Sequence, residues 1–273
     1  MSNWPIAFST TDRVAEDFPN ILQELVDLKW PAVVIKNFYP INHCKEVSRR
    51  INTSSHNLVT VKEYSNAASE KVSLRYIGPG LGQYVSDRAT YFRETKLAYS
   101  KFIRLYQDLP DPREMVRNKI SKLLPNKNIV IAQEKNEQCS AAVVRIMVEG
   151  DMSALHRDSA MNYFKGWQIS KYPTQFSALV CFQMAEDGGE LTVYRKRWNP
   201  KDDLAKEEGI TGYPNSIVAD AESSIIKPEE GDLYIFHPEI YHDIKPMKGT
   251  RDRITQGIFF ATSENDQKVV SWG

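Results

Sequence analysis

Cysteine is scarce in this 273-residue chain, and the three that occur, Cys44, Cys139 and Cys181, are odd in number and nowhere form a Cys-x-x-Cys pair. That usage argues against a disulfide framework and suits free thiols in a reducing compartment. Net charge is missing as well. Lys plus Arg and Asp plus Glu come to 35 each, so no bulk field draws nucleic acid or an anionic membrane surface, and neither is expected as a partner. No run of about 18 apolar residues occurs, and the opening MSNWPIAFSTTDR has neither a basic n-region nor an apolar core. The expectation is a soluble, cytoplasmic protein. The glycine-rich GPGLG at residues 78–82 lacks the Gly-Lys-Ser/Thr ending of a phosphate loop, which leaves a lid over a site or an ordinary surface turn.

What is present divides into a helical first half and a strand-rich second half. Residues 17–28, with Phe18, Ile21, Leu22 and Leu25 on one face, predict a helix. Residues 32–38 predict a strand, residues 42–51 a second helix, and residues 53–87 a polar loop. Two more apolar stripes predict helices over 91–106 and 112–124. From residue 128 the period falls to two or to short buried runs, at 129–132, 141–148, 176–184, 191–194, 224–226, 233–236 and 254–261. Short strands in succession, parted by Gly, Pro and Asp turns, argue for a sandwich or jelly roll and against alternating β-α units. The expected organisation is one domain, mainly β with α additions: residues 1–127 as helical support and lid, residues 128–273 as the jelly-roll core. Residues 196–221 form a long polar insertion without periodicity, read with residues 64–90 as lid material.

Chemistry concentrates in AAVVRIMVEGDMSALHRD, residues 141–158. Residues two apart on a strand point the same way, so His156 and Asp158 set an imidazole and a carboxylate on one side. His242, in GDLYIFHPEIYHDIKP, is the best third ligand, placed where a second apolar strand breaks at a Pro-containing turn. His237 competes with it, but precedes Pro238 inside the apolar run; His43 and His56 lie in the helical region without carboxylate partners. Two His and one carboxylate on one face, with open positions opposite, form the facial triad of non-haem Fe(II) oxygenases.

Arg251 and Arg253 follow His242 at the start of RITQGIFF, and with them residues 143–261 resemble the Fe(II)/2-oxoglutarate-dependent dioxygenase superfamily in motif order and spacing. The turn Gly188-Gly189-Glu190-Leu191 also matches the family's usual pattern. The resemblance implies a distorted double-stranded β-helix with N-terminal helices packed on the sheet. It also implies Fe(II) on His156, Asp158 and His242, 2-oxoglutarate as co-substrate, and O2 as oxidant. The far carboxylate of 2-oxoglutarate then falls to Arg251 or Arg253; Arg253 is preferred, because Arg253-x-Thr255 is like the family's Arg-x-Ser pair. A guanidinium suits the role, being planar, bidentate and always charged.

Arg145 interrupts VVRIMV, where a charge must be paired or face a polar cavity. It either contacts substrate or co-substrate or makes a salt bridge, with Glu149 or Glu190 as partners. Tyr76 is the second candidate substrate contact. Relatives that halogenate carry Gly or Ala at the position of Asp158, so the carboxylate here implies hydroxylation, or another C–H oxidation, of a small molecule such as an amino acid or natural-product intermediate. Desaturation, ring formation and epimerisation share that chemistry. Hydroxylation of a protein or peptide side chain, and a non-catalytic metal-binding jelly roll, are the alternatives; nothing in the sequence sets an oligomeric state.

Overall fold

Period-two alternation in RITQGIFFAT sets the plan of the molecule: Ile254, Ile258 and Phe260 face the main apolar core, and Arg253, Thr255 and Gly257 face a cavity on the other side. The computed structural model describes residues 4–65, 71–206, 212–263 and 266–273. In chain order the elements begin with β1 (Ala7–Thr10), α1 (Val14–Asp17), α2 (Ile21–Val26), β2 (Val33–Lys36), α3 (Ile41–Thr53) and α4 (Ser55–Leu58). Next come β3 (Thr60–Ser65), β4 (Lys71–Ile77), α5 (Arg88–Tyr106), α6 (Pro112–Leu123), β5 (Asn128–Ile131), and the short pair β6 (Gln133–Glu134) and β7 (Glu137–Gln138). The rest is β8 (Val143–Met147), β9 (Ser153–His156), α7 (Ala160–Tyr163), β10 (Thr174–Gln183), β11 (Leu191–Arg197), β12 (Ser223–Ile226), β13 (Leu233–Phe236), β14 (Ile240–Ile244), β15 (Arg253–Thr262) and β16 (Lys268–Trp272).

Two sheets form the sandwich. The larger runs β1-β2-β13-β10-β15-β8-β4-β3, with β16 on the far half of β15 and β5 beside β16; the smaller runs β12-β11-β14-β9. All pairs are antiparallel except β1 with β2 and β5 with β16. Helices cover the outer face of the large sheet, where Cys44, Val47 and Ile51 of α3, Phe102 and Leu105 of α5 and Val116 and Ile120 of α6 join Val180, Ile254 and Phe260. Burial of each such side chain contributes about 1.5–3 kcal/mol. Gln256 also points into this core, and its side-chain oxygen accepts from the Tyr106 hydroxyl at 2.6 Å. Local capping sets the helix starts: the Asp87 side chain accepts from the Thr90 N–H, and Asp111 caps α6 ahead of Pro112. The three cysteines are free and buried, and burial pushes each thiol up to about 12, so they behave as core residues. Among the described residues no helix is long and apolar enough to cross a membrane.

The structure corrects several expected elements. Of the single helix expected over 17–28 only Ile21–Val26 forms, as α2; the separate α1 ends at Asp17, because Pro19 disfavours helical geometry at Phe18, whose ψ is 71°. The expected loop over 53–87 is α4, β3, β4 and a 3-10 turn at Leu81–Tyr84; β4 pairs with β8 through Arg75↔Ile146, Tyr76↔Arg145 and Ile77↔Val144. Residues 66–70, inside the expected lid, lie outside the described residues. His156 ends a strand of its own, β9, and His242 lies in the middle of β14 instead of at a strand break.

Candidate active site

The inner face of the small sheet brings the two histidines together. β9 and β14 pair with His156 directly opposite His242, and their ring centroids are 4.2 Å apart. Asp158 follows two residues beyond His156, and its N–H donates to the Pro238 carbonyl at 2.8 Å, tying the exit of β9 to the turn before β14. Its Oδ2 then lies 3.5 Å from His242 Nε2 and 4.0 Å from His156 Nε2. Each Nδ1 meets a backbone carbonyl, Ala154 at 2.7 Å and Ile240 at 3.0 Å. A carbonyl only accepts, so Nδ1 carries the proton and Nε2 keeps its lone pair toward Asp158. One ligand atom from each residue falls within 4.8 Å of the others. Ligands about 2.0–2.2 Å from one ion sit roughly 3–4 Å apart, so a small closure seats a metal.

Electrostatics favour the ligand forms. Burial, with the neighbouring His242, pulls the His156 pKa down to about 4 against the opposing Asp158 charge, which leaves the imidazole neutral near pH 7. Burial acts to raise the Asp158 carboxyl, but the polar contact with His242 and the nearby His156 and Arg145 outweigh it and hold it at about 2. A neutral imidazole and an ionised carboxylate are what a metal requires.

Facing this triad across about 560 Å³ of atom-free space, counting the mouth, is the inner face of the large sheet. Arg253 is only 1% exposed, donates to the Tyr234 hydroxyl at 2.9 Å and approaches Thr255 Oγ1 at 3.4 Å. Its Nε has no partner, and among the described residues no carboxylate pairs with it. Gly189, at φ +71°, makes room for it, since a Cβ there would lie 3.0 Å from Arg253 Cδ. Burying a guanidinium without a counter-ion costs several kcal/mol, and an anion in the cavity would offset that cost. Triad and guanidinium together fit a divalent metal and a dicarboxylate. Tyr234 escaped sequence reasoning; its signal is that it precedes Phe236 by two on β13, and both line the cavity.

Arg251 does not share that position. It lies on the surface in an ion pair with Glu230, because β15 begins only at Arg253 and strand alternation does not extend back to 251. Arg145 lines the cavity, opposite Thr255 in the β8–β15 register. The salt bridges to Glu149 or Glu190 do not form: Glu190 pairs with Lys227 at 2.8 Å, and among the described residues Arg145 has no ionic partner. The surrounding protein lowers its pKa, with the Asp158 charge opposing, although the side chain itself is exposed to the cavity. Tyr76 is buried beside the cavity without lining it, its hydroxyl bound to that of Tyr84 at 2.8 Å, which makes it a packing residue. His237 is turned to the Gln175 carbonyl at 2.9 Å and is not part of the triad.

The described parts of the insertion, residues 196–206 and 212–221, back the triad. The Tyr213 N–H donates to the Leu155 carbonyl at 2.7 Å, and Gly212, at φ +101°, permits the approach. Arg157, between the two ligands His156 and Asp158, points outward and lies 4.0 Å over the Trp198 ring. Residues 207–211 lie outside the described residues.

Comparison with known proteins bears on the whole chain. A family model described as carrier-protein-independent halogenase WelO5 matches residues 8–273. L-isoleucine 3(1)-dioxygenase of Pantoea ananatis (strain AJ13355) is 31% identical over 144 residues, covering 49% of this chain and 47% of that protein. L-gamma-glutamyl-L-propargylglycine hydroxylase of Streptantibioticus cattleyicolor is 26% identical over 121 residues, 44% of each. Both alignments span less than half the length of these relatives. The crystal structure of an N-substituted L-amino acid dioxygenase from Burkholderia ambifaria AMMD superposes with a TM-score of 0.58 at 16% identity, covering 93% of this chain and 90% of that one. That likeness establishes the jelly-roll fold.

Proposed function

The chain belongs to the carrier-protein-independent halogenase WelO5 family, and from that membership we propose that it is an Fe(II)- and 2-oxoglutarate-dependent oxygenase that hydroxylates, and does not halogenate, a small molecule. The observation that carries the proposal is the Asp158 carboxylate, 3.5 and 4.0 Å from the Nε2 atoms of His242 and His156. A halogenase leaves that position free for halide; here a carboxylate fills it. The names of the curated relatives, an isoleucine dioxygenase and a hydroxylase of a glutamyl-propargylglycine dipeptide, support a substrate of the amino-acid class.

Bound Fe(II) with 2-oxoglutarate and O2 would supply oxidation of an unactivated C–H bond. The rest is the work of this chain's residues. The Ala154 and Ile240 carbonyls hold the Nδ1 protons, so that both Nε2 atoms stay directed at one point with Asp158. Arg253, steadied by Tyr234 and Thr255, receives the far carboxylate of the co-substrate. Val143, Leu179, Leu191 and Phe236 line the space between and keep water from the reacting carbon.

Incubation with Fe(II), ascorbate, 2-oxoglutarate, chloride and an amino-acid panel tests this. Succinate release coupled to a product heavier by one oxygen is expected. A chlorinated product from the wild-type chain, or 2-oxoglutarate left unconsumed across the panel, overturns the proposal.

A further inference from the structure

Resting on the oxygenase reading above, we infer that the substrate is an anion that docks a carboxylate on Arg145 and Gln83, against the bare backbone of Gly80. Charge is the first support. A metal dication, the Asp158 carboxylate, the Arg253 guanidinium and a dianionic co-substrate sum to zero, so Arg145 remains as one uncompensated positive charge in a largely apolar cavity. Among the described residues no acid neutralises it. The guanidinium is exposed within that cavity and not sealed into the fold, so an entering anion can reach it directly.

Geometry is the second and independent support. A Cβ built on Gly80 would lie 4.0 Å from Arg145 Nη2 and 3.9 Å from Gln83 Nε2, and beyond the adjoining residues nothing else approaches it within 4 Å. Two N–H-bearing groups from different elements therefore border one spot beside the cavity. Gln83 Oε1 is buried without a partner, so a hydrogen bond to its oxygen does not fix the amide. The surrounding turn is preformed: the Gln83 N–H donates to the Gly80 carbonyl at 3.1 Å, and the Leu81 N–H to the Gly273 carbonyl at 3.0 Å. A fork of guanidinium and amide donors matches the two oxygens of a carboxylate. Arg145 also lines the cavity that holds His156 and Asp158, so a substrate anchored there lies with its remaining carbons toward the triad.

The test is calorimetry on the full chain loaded anaerobically with Fe(II) and 2-oxoglutarate. The probes are N-acetyl-L-isoleucine and 4-methylpentanoate, each against its primary amide, which keeps the shape and removes the charge. Saturable binding of at least one acid is expected, about tenfold or more tighter than its amide. Arg145→Gln should erase that preference while 2-oxoglutarate binding stays within about twofold of wild type, because Arg253 carries the co-substrate. Gly80→Ala should weaken the acid with the thermal midpoint unchanged, since φ −79° and ψ 127° suit any residue and an added Cβ meets nothing nearer than 3.9 Å. Acid and amide binding alike, or no acid binding in the millimolar range, overturns the inference. Loss of 2-oxoglutarate binding in Arg145→Gln also overturns it and assigns Arg145 to the co-substrate. If wild type takes up no 2-oxoglutarate, the oxygenase reading itself fails; if it does and no acid binds, only the carboxylate site fails.

Discussion

Two polar regions lie back to back on β9 and β14, and they treat charge in opposite ways. On the outer face, Asp202 accepts from the Tyr241 hydroxyl and lies 3.6 Å from Lys196, while Asp203 accepts from Tyr213 and pairs with Lys206 at 2.9 Å. Each of these carboxylates is answered within the fold. On the inner face the Nε2 atoms of His156 and His242 converge on Asp158, and Arg253 and Arg145 have no acid partner among the described residues. The tripeptide His156-Arg157-Asp158 divides between the two, its middle residue stacking outward on Trp198. Charge answered internally holds structure; charge left open toward a cavity marks where a ligand belongs.

The sharpest way to break that distinction is at the triad. His156→Ala or Asp158→Ala should reduce Fe(II) affinity by more than the roughly 10–100-fold typical of outer-shell changes, with the melting curve of the metal-free protein unshifted. Near wild-type iron uptake in both variants would remove the triad from the account.

Next in size is the anion pocket. Arg253→Ala should weaken 2-oxoglutarate by about 2–5 kcal/mol, because it leaves a desolvated carboxylate unpaired. Arg251→Ala, which removes only the surface pair with Glu230, should cost under about 1 kcal/mol. Equilibrium binding of 2-oxoglutarate to the two variants decides it, and the reverse order would mean that the wrong arginine has been assigned.

The outer face should respond in stability and not in binding. Trp198→Ala removes the surface under the Arg157 guanidinium and should lower stability by about 0.5–2 kcal/mol in denaturant unfolding. Iron and 2-oxoglutarate affinities should move by less than about threefold, as expected of an independent site. A loss of iron affinity as large as that of His156→Ala would merge the two faces into one functional unit. Smallest of all is the expected response of the insertion to ligand: the Tyr213 amide, bound to the Leu155 carbonyl, should exchange slowly with or without 2-oxoglutarate. Fast exchange that slows on ligand addition would restore this segment as a lid.

The difference between the faces also explains what could be read from the sequence. His156 and Asp158 at a spacing of two, and Arg253 two before Thr255, are local patterns, and local patterns survive in one dimension. The same holds for the apolar runs of β8, β10, β13 and β15. The pairing of β4 with β8 joins segments about seventy residues apart, and the polar residues around β3 hid its alternation. β14 was obscured because Pro238 and His242 read as the end of a strand, when Pro238 is a turn between two. Arg251 and Arg253 were inseparable without knowing where β15 starts. The site of the 196–221 insertion rests on tertiary contacts such as Tyr213 with Leu155, which no local pattern announces.

The most direct measurement is an anaerobic titration of the Fe(II)-loaded chain with 2-oxoglutarate, following the visible charge-transfer absorption that arises when a 2-oxo acid chelates ferrous iron. The account predicts a band that saturates at one co-substrate per chain, is absent in His156→Ala, and needs far more 2-oxoglutarate in Arg253→Ala. No band in the wild-type chain, or one indifferent to both substitutions, would contradict it.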